Sequence, residues 1–143
     1  FLMENGEFVR NMNSKDGYAL QLAVKKGYRI GIITGGNSQT VKKALESLGI
    51  EDIFLAQHDK LQCYKDYINE HSLNEEEILY MGDDLPDYEV MKRVGLAVCP
   101  FNSAHEIKEI CLYISSRNGG EACVRDIIEQ VMRSQGTWEI TGW

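Results

Sequence analysis

Cysteine is scarce in this chain, and what there is forms no pairs. Cys63, Cys99, Cys111 and Cys123 are widely spaced with no CxxC among them. His58, His71 and His105 show no ligand spacing relative to them, so a zinc site is excluded. Three of the cysteines sit inside apolar runs and read as reduced core residues, which fits a cytoplasmic chain. Basic runs are absent as well, and the net charge is −7, so nucleic acid is not an expected partner. No apolar run approaches the roughly 20 residues of a membrane span, and none reads as a signal peptide. Internal repeats, low-complexity stretches and linkers are missing too.

What remains is an ordinary globular composition, 43% apolar and 26% charged. Its 143 residues suffice for one domain, 1–143, with a sizeable core. The chain begins at Phe1 rather than Met, within what reads as a strand, so a preceding segment is expected.

Asn5-Gly6 lies between two strand-like runs and predicts a hairpin over the first residues. Asn13 to Gly17 reads as a polar turn in which Ser14 or Asp16 caps a helix over Tyr18 to Lys26. Short apolar runs then alternate with helical periodicity. The strands expected are Tyr28–Ile33, Ile53–Leu55, Ile78–Met81, Leu96–Cys99 and Leu112–Ile114. Helices are expected over Ser38–Leu48, after Lys60, from about Pro86, and over Glu121–Gln135. Asn74 to Glu77 and Ser103 to Glu106 both have capping-box spacing. Such alternation predicts a three-layer α/β domain, a parallel sheet with helices on both faces.

In that architecture the loops at the carboxyl ends of the strands face one crevice. Ile78-Leu-Tyr-Met-Gly-Asp-Asp-Leu-Pro-Asp87 sets Asp83, Asp84 and Asp87 immediately after an apolar strand. Like charges that close call for a hard cation, and Mg2+ is the natural one. An ordinary helix start would use the same residues, because Asp is favoured at N-caps and in first turns. Three acids on this spacing cannot all ligate one ion. Asp83 is the expected direct ligand, and Asp84 or Asp87 the water-mediated or orienting groups. Thr34-Gly35-Gly36-Asn37-Ser38 offers a hydroxyl and backbone amides at a helix start, suited to phosphate. Lys60 falls between these two sites and supplies a compact positive charge.

Thr34, Lys60 and Gly82-Asp83-Asp84 with Asp87, in that order, resemble the second, third and fourth motifs of the haloacid dehalogenase phosphatase superfamily. Asn5-Gly6-Glu7, Lys15-Asp16-Gly17, Arg93-Val94-Gly95 and Gly119-Gly120 with Arg125 resemble one branch of it. That branch is the phosphatases of 3-deoxy-octulosonate 8-phosphate (KDO 8-phosphate) and related sugar acids. The resemblance runs from the hairpin to about Gly136. It implies phosphoryl transfer to an aspartate, hydrolysis of the aspartyl phosphate, Mg2+, and a small phosphorylated substrate. Thr34, Gly35 and Lys60 would hold the phosphoryl group, and Ser14, Lys15, Asp16 and Gly17 would line the substrate mouth. It further implies no separate cap domain and a homotetramer whose contacts use Phe1 to Val9 and Trp138 to Trp143.

Two departures stand out. The first family motif, Asp-x-Asp-Gly, is not in this sequence; alignment of the hairpin puts it on a strand about ten residues before Phe1, since hairpin connections are short. The arginines usual after the second motif are replaced by Gly36 and Asn37, then Lys42, Lys43 and Ala44. Lysine does not reproduce bidentate recognition, so the reaction type carries over better than the substrate. An alternative is a phosphatase-inactive oligomerisation or regulatory domain, as attached to a sugar-nucleotide cytidylyltransferase. A phospho-acceptor receiver domain also pairs acids, Thr and Lys, but there the lysine comes late, whereas Lys60 precedes Asp83.

Overall fold

In the computed structural model of this chain, residues 14–140 are described. The hairpin at Asn5-Gly6, the interface assigned to Phe1 to Val9, and the end of the tail lie outside them.

The elements alternate as expected: α1 (Ser14–Lys25), β1 (Gly31–Ile33), α2 (Gln39–Ser47), β2 (Asp52–Phe54), α3 (Lys60–His71), β3 (Leu79–Met81), α4 (Tyr88–Met91), β4 (Leu96–Cys99), α5 (His105–Ile110), β5 (Tyr113–Ile114) and α6 (Cys123–Ser134). Single 3-10 turns, Glu75–Glu77 and Leu85–Asp87, flank β3. Among the described residues every strand pairing is parallel. Ile32 lies opposite Ile53, Tyr80 opposite Ala97, and Cys99 opposite Ile114.

Side chains of a strand alternate between faces, and that alternation sorts the helices into two layers. Ile30 and Ile32 pack with Leu20, Leu45, Val124 and Ile128, so α1, α2 and α6 cover one face. Gly31 faces the Tyr67 ring of α3 on the other. There Tyr80, Ala97 and Cys99 meet Met91 of α4 and Ile107 of α5. Val90, Cys99 and Ile107 are fully buried. Burying an aliphatic side chain of that size contributes about 1.5–3 kcal/mol.

The sheet is in two parts. β1 and β2 form one piece, and β3, β4 and β5 another. Among the described residues no backbone hydrogen bond joins β1 to β3. Yet α3 spans both, through Tyr67 on β1 and through Lys60 and Tyr64 on the β3 side. On the other face α6 also spans both, with Ile128 on β1 and Ile127 and Val131 over Leu79 and Val98. No residue of β1 or β3 is buried, although three residues of β4 are.

Two expectations need correction. Lys15-Asp16-Gly17 is not a turn but the first turn of α1, which starts at Ser14. The cause is Asp16, buried in the α1–α6 contact, where its Oδ1 accepts the Arg125 amide at 2.9 Å. Ala122 precedes α6 in a left-handed conformation and caps nothing, so Asp16 caps that helix from a distance. Ser103 makes no capping box either: its hydroxyl donates to the Pro100 carbonyl, and α5 starts beyond Ala104 without a side-chain cap. Trp138, which the resemblance puts at a subunit contact, is partly exposed and has neighbours within the chain. It packs edge-on against Tyr18 and lies 5.2 Å from the Arg125 guanidinium.

Candidate active site

The acidic loop leaves β3 through a close approach. A Cβ on Gly82 would stand 2.5 Å from Asp87 Cβ and 2.7 Å from the Met91 sulfur, so only glycine fits. Across that contact the Asp87 side chain folds back over the loop. Its Oδ2 accepts the Asp83 amide at 3.2 Å and the Asp84 amide at 3.5 Å. Its Oδ1 accepts Lys60 Nζ at 3.0 Å and the Tyr80 hydroxyl at 2.8 Å. Only 3% of Asp87 is exposed, and four donors fill its carboxylate. A charge so buried is stable only when paired and hydrogen-bonded in this way.

Asp84 begins the Leu85–Asp87 turn, and its Oδ1 accepts the Leu85 amide at 2.8 Å. Asp83 is exposed, and its backbone carbonyl is tied to the Ala104 amide at 3.0 Å. Neighbouring carboxylates therefore have different duties. Asp87 organises the loop, Asp84 shapes the turn with one oxygen, and Asp83 is presented outward.

Lys60 is the first residue of α3, whose N-cap is Asp59, accepting the Gln62 amide at 3.0 Å. A cation at a helix N-terminus opposes the macrodipole, so helix stability does not account for Lys60. Its side chain is 17% exposed and turned onto Asp87. Thr34 follows β1, with its amide bonded to the Phe54 carbonyl and its own carbonyl to the Gln57 amide. The Thr34 Oγ1 accepts the Gly36 amide at 3.1 Å, which leaves the hydroxyl proton to donate elsewhere. Gly35 beside it is exposed. Topology brings Thr34, Lys60 and the acidic loop to the carboxyl ends of β1, β2 and β3. Lys60 and the acidic loop are joined directly. The structure puts Asp16 under α6 instead, while Ser14 and Gly17 line a groove against Ala44, Ser47 and Leu48 of α2 and its end.

No cluster of three metal-ligating side chains exists among the described residues. With Asp87 saturated and buried, the exposed carboxylates of the loop are Asp83 and Asp84. That set fits Mg2+, which is held by one or two carboxylates together with water and substrate phosphate. It does not fit a metal needing a full protein cage. Tyr80 is the site residue that sequence reasoning missed. The signal was a tyrosine inside an apolar strand, whose buried hydroxyl must find a partner. Burial and the neighbouring Asp87 both push its phenol well above the ordinary range, so it stays a donor.

The sequence profile of the haloacid dehalogenase-like hydrolases matches residues 50–127, more than half of the chain. This chain belongs to that family, and with it to the hydrolases of phosphate monoesters. Among its relatives, the 3-deoxy-D-manno-octulosonate 8-phosphate phosphatase KdsC of Escherichia coli is 29% identical over 136 residues, which are 95% of this chain and 72% of the relative. A probable YrbI family phosphatase from Pseudomonas syringae superposes with a TM-score of 0.90 at 33% identity, covering 96% of this chain and 78% of that one. The 3-deoxy-D-manno-octulosonate 8-phosphate phosphatase of Moraxella catarrhalis, solved with magnesium, phosphate and KDO, gives 0.90 at 27% identity, covering 96% and 79%.

Proposed function

We propose that this chain hydrolyses a small phosphorylated metabolite, a sugar-acid phosphate such as KDO 8-phosphate, with Mg2+ as cofactor. The observation that carries the reading is the Lys60–Asp87 pair, 3.0 Å apart, in the segments that follow the carboxyl ends of β2 and β3. In this reading Lys60 and the Thr34 hydroxyl hold the phosphoryl oxygens, with Gly35 beside them. Asp83 would be the direct metal ligand, and Asp84 a water-mediated or orienting group. Asp87 is the orienting group. Bound Mg2+ would neutralise phosphate charge and align the reacting oxygens. The attacking carboxylate would be that of the first family motif, Asp-x-Asp-Gly, whose second aspartate would protonate the leaving group. That carboxylate forms a bond to phosphorus as the P–O bond to the sugar breaks, and the leaving oxygen takes a proton. Water then cleaves the acyl phosphate and restores the carboxylate.

The absence of arginine at Gly36 and Asn37 fits a phosphoryl group read by a lysine and a metal better than a carboxylate read by a guanidinium fork. The free cysteines suit a reducing, cytoplasmic setting, and no helix among the described residues is long and apolar enough to cross a membrane. A homotetramer is the assembly we expect, to be checked by light scattering.

Phosphate release from a panel of sugar phosphates, assayed on the full-length protein with and without Mg2+, tests the reading. Asp83→Ala should abolish both turnover and its magnesium dependence while the circular dichroism stays unchanged. Normal turnover by that variant would sink the metal assignment. If no Asp-x-Asp motif is found upstream of Phe1, the phosphatase-inactive module becomes the better reading.

A further inference from the structure

The Tyr80 hydroxyl and the Lys60 ammonium share one oxygen, Asp87 Oδ1, at 2.8 and 3.0 Å. A carboxylate oxygen accepts along two lone-pair directions. Tyr80 fills one of them, so Lys60 is left the other. Oδ2 offers no alternative, since the Asp83 and Asp84 amides occupy it at 3.2 and 3.5 Å. The ammonium is thus confined to one approach, and its remaining N–H bonds point away from Asp87. By donating to the same oxygen, Tyr80 also takes up part of the carboxylate charge that would otherwise neutralise Lys60. We propose that Tyr80 is a positioning residue for phosphate binding, acting through Asp87 to aim the Lys60 ammonium and keep its charge available.

This inference rests on the reading of Lys60 as a phosphoryl ligand, and it assigns Tyr80 no contact with substrate. A built-in control lies at the other end of β3. There Tyr64 donates to Glu75 Oε2 at 2.9 Å, and Glu75 also pairs with Arg93. Tyr64→Phe removes the same kind of bond far from the crevice.

The test is calorimetric binding of inorganic phosphate to the full-length protein in Mg2+, with KM and kcat measured alongside. Loss of one charge-assisted hydrogen bond is expected to weaken phosphate binding about tenfold in Tyr80→Phe. KM should rise in parallel, and Tyr64→Phe should bind phosphate as the wild type does. If Tyr80→Phe matches the wild type, or both variants weaken equally, Tyr80 positions nothing and the phosphatase reading stands. If the wild type itself binds no phosphate, the assignment of Lys60 falls, and this proposal with it.

Discussion

The two ends of β3 carry the same three chemical groups, a tyrosine, a carboxylate and a cation, and use them differently. Before the strand, Glu75 accepts Arg93 Nε at 3.1 Å, Arg93 Nη2 at 3.0 Å and the Tyr64 hydroxyl at 2.9 Å. After it, Asp87 accepts Lys60 and Tyr80 on one oxygen and the loop amides on the other. The Glu75 side chain is 31% exposed, that of Asp87 4%. A guanidinium fork fills both oxygens of its partner and closes the pair on itself. An ammonium is a point charge making one contact, with donors left over. The first arrangement is a clasp joining α3, the turn before β3 and the turn after α4, and the second holds a charge ready for something else.

Asp87→Ala should separate the two ends most sharply. It strands Lys60 in a nearly closed site and leaves the Tyr80 hydroxyl unmatched. Removing one partner of a buried pair costs about 3–5 kcal/mol, read as a lower denaturation midpoint, together with loss of phosphate release. Glu75→Ala should cost only a fraction of that and leave turnover intact in the folded protein. Equal losses from the two variants would break the comparison.

Each end also depends on a glycine. A Cβ on Gly82 would meet the Asp87 side chain at 2.5 Å, whereas one on Gly95 would meet the Glu76 carbonyl oxygen at 2.0 Å. Overpacking of this kind costs about 1–3 kcal/mol, occasionally more. Backbone yields less than a side chain, so Gly95→Ala should unfold at the lower temperature. Gly82→Ala should be the more damaging to turnover per folded molecule, because what it displaces is Asp87. Thermal melts and phosphate release on the same preparations check both halves.

Much of this was legible in the sequence. Short runs such as Ile78–Met81 and Leu96–Cys99, set between helical stretches, specify parallel strands by composition and length alone. The acidic loop announced itself because three carboxylates beside an apolar run are costly without a purpose. What stayed hidden needed the third dimension. Asp16 reads as a local cap for its own helix, and nothing in the sequence says that it caps α6 instead. Ser103 and Glu106 have the spacing of a capping box, but Ser103 found a nearer acceptor in the Pro100 carbonyl. Tyr80 and Asp87 are seven residues apart, so their bond depends on the sharp turn that Gly82 allows. The division of labour among Asp83, Asp84 and Asp87 likewise follows from which oxygens the fold has already filled.

The smallest expected effect lies in acid and concerns the Glu75 clasp. Arg93, and then Tyr64, hold the Glu75 carboxyl below its ordinary pKa of 4.5. A carboxylate with a depressed folded pKa contributes stability that is complete above the unfolded value and fades as pH falls through the folded one. Glu129, held down by Arg125 and Arg133, adds to the same trend. Asp16 works against it, since burial raises its pKa and favours the protonated form in the folded chain. Melting temperature should therefore fall as pH drops below about 4.5, and Glu75→Gln should make that fall shallower while lowering the melting point at neutral pH. Parallel curves for the variant and the wild type would mean that the clasp contributes no charge-dependent stability, and the contrast between the two ends of β3 would then rest on geometry alone.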